Sequence, residues 1–189
     1  KVRRPLGLIW FDTHGDMNTP DTSPSGNIHG MSLATSLGLG HPDLVNCAGF
    51  APKVAAANTV LIGVRDLDPL EKETIRQSGI TVFTMNHIDR LGMETVMRQA
   101  IAIASQDTCG IHVSFDLDVV DPAEAPGVGT AKSGGITYRE AHLAMELLAE
   151  TGQVMALDFS EVNPILDVHN RTGILAVELI SSLLGKRII

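Results

Sequence analysis

With 189 residues, 44% hydrophobic and 19% charged, the chain has the length and composition of one sizeable globular domain rather than two. A formal net charge of −8 argues against nucleic acid as a partner and leaves a cationic ligand easily tolerated. No apolar run reaches the ~18 residues of a membrane span, and Cys47 and Cys109 lie far apart with no CxxC spacing, as expected of thiols in a reducing, cytoplasmic setting.

In chain order, near-continuous apolar runs predict strands over residues 6–11, 59–64, 80–85, 111–115 and 154–159, each buried on both faces as in a parallel sheet. Helices fall between them. "DPLEKETIRQSG" places Asp68 at the N-cap, Pro69 at the first helical position, Glu71 three residues on and Gly79 at the stop. "NHIDRLGMETVMRQAIAIAS" has apolar residues at helical spacing. "TYREAHLAMELLAETG" opens on a capping box, Thr137 with Glu140, and closes at Gly152; "NRTGILAVELISSLLG" supplies a last amphipathic segment. This alternation predicts a three-layer α/β fold: a predominantly parallel sheet of about five strands flanked by helices, in a single domain over residues 1–189. Ligands in such folds gather beyond the carboxyl ends of the strands.

Two strands end in chemistry. "GLIWFDTHGDMNTP" (residues 7–20) runs from a buried-type strand into Asp12, His14 and Asp16, and "HVSFDLDVVDP" into Asp116 and Asp118. Residues two apart in extended chain point the same way, so four carboxylates and one imidazole converge if the strands are neighbours. Each Asp alone reads equally well as a turn former or cap. Together, unpaired like charges would drive their pKa values up, and divalent metal is the economical remedy. Carboxylates dominate and thiolates are absent, which suits Mn²⁺ better than a structural zinc. Two ions would balance four carboxylates and activate a water.

The motifs "DTHGDMNTPDTSPSGNIHG", "RDLDPLE", "SFDLDVVDPAEAPGVGT…GGITYRE" and "EVNP" resemble those of the ureohydrolases, most closely arginases of the bacterial type. The resemblance implies an arginase-like fold and two Mn²⁺ ions sharing a hydroxide. Asp12, Asp16 and Asp116 would serve one ion, and Asp12, His14, Asp116 and Asp118 the other. The implied reaction is hydrolysis of L-arginine to L-ornithine and urea. His29 matches a proton-shuttling histidine. Asn18, Ser25 and Asn27 match residues that read the substrate carboxylate, and Asp68, with Glu71 beside it, those that read its ammonium. Glu161 matches a guanidinium-facing carboxylate, and Thr130 a hydroxyl near the scissile group. A homo-oligomer, trimer or hexamer, is implied for the intact protein.

Bland alternatives stand beside these roles: helix capping explains Asp68 and Glu71, and a polar loop explains Asn18, Ser25, Asn27 and His29. Two departures from the family pattern matter. A G-G-D-H-type segment carrying another histidine ligand is expected upstream, yet no histidine precedes His14. Thr13 stands where the family usually has Ala, a change expected to be tolerated. The expectation is a C-terminal portion of a longer arginase-like domain, impaired in metal binding when alone. The competing functions are a ureohydrolase acting on agmatine or a guanidino acid, and a non-catalytic binding or assembly module.

Overall fold

Apolar runs without alternation need cover on both faces, and the computed structural model, which describes residues 5–187 and Ile189, provides it for most of the sheet. In chain order the regular elements are β1 (Gly7–Phe11), α1 (Ser32–Ser36), α2 (Pro42–Val45), β2 (Thr59–Val64), α3 (Pro69–Ser78) and β3 (Thr81–Thr84). There follow α4 (Met85–Leu91), α5 (Met93–Ser105), β4 (Ile111–Asp116), α6 (Tyr138–Thr151), β5 (Val154–Ser160) and α7 (Arg171–Leu183). The strands form one parallel sheet in the order β3-β2-β1-β4-β5. The three-layer α/β expectation holds.

Local chemistry sets the helix ends. Asp68 and Glu71 form the capping box of α3, Pro69 takes its first position, and Gly79 ends it in the left-handed region. In α6 the Glu140 carboxylate accepts the Thr137 N–H at 2.8 Å, and Gly152 closes the helix at φ 61°. Two expectations need correction. The continuous helical pattern over residues 86–105 is two helices, because Gly92 (φ 77°, ψ 151°) adopts a backbone that side chains disfavour and breaks the ladder. The strand expected to reach residue 85 stops at Thr84, whose N–H donates to His87 Nδ1 at 3.0 Å in a capping arrangement. The short helices α1 and α2 fall in a stretch where the sequence pattern gave no element.

The two faces of the sheet differ. On the first, Ile9, Phe11, Val113 and Phe115 pack with α4–α7 through Ile88, Met97, Met145 and Leu179. Phe11, Phe115 and Phe159 form a ring row across three strands, with centroids 5.0 and 5.1 Å apart. On the second, Leu8, Leu61 and Val64 meet Leu33 and Ala34 of α1 and Ile75 of α3. There β4 and β5 turn polar groups outward instead: His112, Ser114 and Asp158. Among the described residues no helix is long and apolar enough to cross a membrane.

The strand order places the chemistry. From β1 the chain runs outward through β2 to β3, then returns to β4 on the other flank of β1. The carboxyl ends of β1 and β4 therefore flank a topological switch point, where a crevice opens. Register pairs Phe11 with Phe115, so Asp12 and Asp116 leave the sheet side by side.

Candidate metal centre and cleft

Beyond Phe11 the chain turns into the switch-point crevice. Asp12 is 1% exposed, and its Oδ2 accepts the Trp10 indole N–H at 3.1 Å while Oδ1 accepts the His14 N–H at 2.7 Å. The His14 side chain thereby points Nδ1 at two carboxylates: 3.0 Å from Asp118 Oδ2 and 3.4 Å from Asp12 Oδ1. Asp118 is held from several sides. The Thr13 N–H donates to its Oδ1 (3.2 Å), the Thr130 hydroxyl to its Oδ2 (3.0 Å), and the Thr13 hydroxyl to its main-chain oxygen (2.6 Å). Among the described residues, one group offers three ligand atoms within 4.8 Å of one another: Asp12, His14 and Asp118.

Asp16 and Asp116 lie outside that group, so the expected five-residue convergence is only partly met by direct contact. The reason for Asp16 is conformational: it sits at φ 51°, so extended chain does not persist to it, and its Oδ2 accepts the Ser32 hydroxyl at 2.7 Å. Asp116 accepts the Asp118 N–H at 2.8 Å and the Ser160 hydroxyl at 3.3 Å.

Electrostatics separate these residues. Burial alone would lower the His14 pKa, but the hydrogen bonds and charges of Asp118 and Asp12 outweigh it and push it up to about 10. Burial, then the negative charges of Asp12 and Asp118, push Asp116 up to about 9; burial and Asp12 likewise raise Asp16 well above the usual carboxylate range. Asp118 goes the other way: burial opposes ionisation, but His14, Thr13 and Thr130 together hold its carboxyl low. The cluster thus carries more negative charge than its one imidazole can balance. An imidazole Nδ1 facing two carboxylate oxygens, with two destabilised carboxylates beside it, is a donor set that fits hard or intermediate divalent ions.

A cleft of about 500 Å³ opens above the cluster, walled by residues 14–30, 66–71 and 129–132. Asn18, Ser25, Asn27 and His29 stand on one wall, with Ser25, Asn27 and His29 exposed; Asp68, Glu71 and Thr130 stand on the others. The Asn18 side-chain amide donates to Asp68 Oδ2 at 2.9 Å, tying two walls together. Glu71 is 3% exposed and both its oxygens are engaged, by the N–H groups of Met17 (3.0 Å) and Asp68 (3.1 Å). Glu161, at φ 64°, adds negative charge beside Asp116. A non-glycine residue in that region costs ~1–3 kcal/mol, and such strain concentrates at working sites.

Sequence reasoning passed over several participants. Thr13, read as a tolerated change, makes two hydrogen bonds to Asp118. Lys132 pairs with Asp66 between two walls of the cleft, Nζ to Oδ2 at 2.7 Å. Arg65 sends its guanidinium to the main chain beside Asp118. Arg65 opens the "RDLDPLE" motif, three residues before the helix cap Asp68, and that was the signal that could have drawn attention to it.

Comparison with known proteins agrees with this architecture. The arginase from Bacillus caldovelox is 56% identical over 183 residues, 97% of this chain and 61% of that protein. The arginase from Bacillus subtilis (strain 168) is 56% identical over 185 residues, 97% of this chain and 62% of that protein. The solved native structure of the Bacillus caldovelox arginase superposes with a TM-score of 0.96 at 55% identity, covering 98% of this chain and 62% of the other. The chain therefore spans about 61% of the length of the curated relatives it matches. Since the family model for the arginases also matches residues 1–185, the chain belongs to the arginase family.

Proposed function

We propose that this cleft serves the hydrolysis of L-arginine to L-ornithine and urea, with two Mn²⁺ ions held by Asp12, His14, Asp16, Asp116 and Asp118. The observation that carries the reading is the meeting of Asp12, His14 and Asp118 within 4.8 Å beneath a cleft with neutral donors on one wall and carboxylates on another. The relatives named as arginases point the same way.

An amino-acid substrate with a cationic tail fits that polarity. Asn18, Ser25 and Asn27 offer amide and hydroxyl donors to the carboxylate, and Asp68 offers an acceptor to the ammonium. Lys132 already pairs with Asp66, which leaves Asp68 as the carboxylate facing the ammonium. Glu71, buried and doubly hydrogen-bonded, acts by holding Asp68 and Met17 in place. Thr130 and Glu161 face the guanidinium end beside Asp118 and Asp116. His29, exposed on the rim, delivers a proton to the departing amine. Divalent ions, when bound, supply Lewis acidity and lower the pKa of water.

The intact protein is proposed to be a cytoplasmic homo-oligomer, trimeric or hexameric. The 189-residue chain by itself is proposed to load metal weakly, because the further histidine implied by the family pattern is missing from it. Mn²⁺ titration by calorimetry, with urea release from arginine and from agmatine, tests the reading. Urea from arginine above agmatine supports it, and the reverse preference makes the chain an agmatine-type ureohydrolase. Absence of any Mn²⁺ binding overturns the metal reading, whereas two tight sites with full turnover overturn the impairment.

A further inference from the structure

Arg65 follows β2 directly, and its side chain runs under the floor of the cleft rather than into it. Every hydrogen bond its guanidinium makes ends on a main-chain carbonyl. Nη1 donates to Val119 (3.0 Å) and, at 3.5 Å, to Gly63; Nη2 donates to Asp118 (2.9 Å) and Lys132 (2.7 Å). Its Nε is buried and has no partner among the described residues. A guanidinium placed only to balance charge would be expected against a carboxylate, in the two-pronged geometry that Arg favours. Here the fork instead joins two segments that both reach the metal cluster.

One segment is the turn after β4, Leu117–Val119, which carries Asp118. The other is the glycine-rich loop, in which Thr130 donates to Asp118 Oδ2 and the Lys132 carbonyl accepts from Arg65. Arg65 also reaches the first metal motif, because its own N–H donates to the Thr13 carbonyl at 2.9 Å. The Asp118 carbonyl receives two donors, from Arg65 and from the Thr13 hydroxyl, so its peptide plane is fixed from both sides. The packing leaves no room for slack: a Cβ on Gly63, whose φ is 97°, would sit 2.2 Å from Val119 Cγ2. A clamp so placed sets the direction in which the Asp118 carboxylate leaves the chain.

We propose that Arg65 is a positioning residue of the metal centre, which holds Asp118 and the Thr130 loop in one shared geometry through main-chain carbonyls. The inference rests on the metal-site reading given above. It assigns Arg65 no contact with substrate.

The test compares Arg65→Lys, which keeps the charge and loses the planar fork, with Arg65→Met, which loses both. In protein shown to be folded by circular dichroism, Mn²⁺ affinity measured by calorimetry is expected to fall about 10-fold in R65K and about 100-fold in R65M, the range for residues that orient metal ligands. Amide exchange at residues 117–119 and 129–132, measured without metal, is expected to quicken in both. A folded R65K that binds Mn²⁺ as tightly as the unchanged chain, with unaltered exchange, overturns the proposal. Loss of folding in both variants also overturns it, in favour of a purely structural role; if R65M alone unfolds, R65K decides. Should the unchanged chain bind no Mn²⁺, the metal reading fails, and the exchange measurement still decides whether Arg65 clamps the two segments.

Discussion

One polar cluster lies on the second face of β4 and another beyond its carboxyl end, and each joins a histidine to an aspartate. Midway along the strand, His112 Nε2 lies 2.7 Å from Asp158 Oδ2, and the Ser114 hydroxyl donates to Asp158 Oδ1 at 2.9 Å. One carboxylate meets two partners there, and its side chain is 51% exposed. At the strand end, His14 meets Asp12 and Asp118, and two further carboxylates nearby, Asp16 and Asp116, are driven up in pKa by burial and by the charges of Asp12 and Asp118. The first cluster is complete as it stands. The second is complete only when positive charge is added, which is why an acidic motif at a strand mouth is informative while an isolated His–Asp pair is not.

The largest expected contrast between the clusters is therefore their response to metal. Saturating Mn²⁺ should stabilise the chain by an amount set by mass action, about 4 kcal/mol at roughly 1,000 times the dissociation constant, and so raise its thermal midpoint. Excess chelator should reverse it. Asp118→Asn should abolish most of that shift by weakening Mn²⁺ binding about 100-fold or more, since it removes a ligand along with the partner of His14. Asp158→Asn should leave the Mn²⁺-induced shift intact. Differential scanning calorimetry of the three proteins with and without Mn²⁺ reads both effects, and an equal loss in D158N would erase the distinction.

The sequence already displayed much of this. The five strands, to within a residue or so at their ends, and the α3 and α6 caps follow from local patterns of apolar runs and capping boxes, whereas the meeting of Asp12 with Asp116 also needs β1 and β4 to be neighbours. What was hidden is non-local. Thr13 and Asp118 are 105 positions apart, and Arg65 acts on carbonyls 53 to 67 positions away. Carbonyls are present at every residue, so no side-chain pattern marks which ones are used. The departure of Asp16 from the extended line was hidden for another reason. Its left-handed backbone is chosen by the packing of the loop, and Asp tolerates that region well enough to leave no sign in its neighbours.

A smaller effect separates residues within the strand-end cluster. Asp116→Asn removes a buried negative charge that already has too many like neighbours, yet an amide can still accept the Asp118 N–H. The native carboxyl is raised above its unfolded value, so in metal-free protein the folded state keeps a proton that the unfolded chain releases above about pH 4. Stability should consequently fall as pH rises toward about 9. D116N should flatten that slope and stabilise the metal-free chain at pH 8 by on the order of 1 kcal/mol. The same change should weaken Mn²⁺ binding. Opposite signs in the two states are the signature of a ligand; a loss in both would reduce Asp116 to a structural acceptor.

The smallest effect belongs to the balanced cluster. Burial disfavours ionised Asp158, but His112 and Ser114 outweigh it and hold its carboxyl below the ordinary value. A depressed folded pKa contributes stability that is present above the unfolded value of about 3.9 and is lost as pH falls through the folded one. Half-exposed and screened by solvent, this pair should be worth less than about 1 kcal/mol. Thermal midpoints of the unchanged chain and D158N should thus differ slightly at pH 6 and converge below pH 4, with 0.5 M salt shrinking the gap. A gap equivalent to several kcal/mol of stability, or one that responds to Mn²⁺, would mean that His112 and Asp158 are also short of positive charge, and the two clusters would then be of one kind.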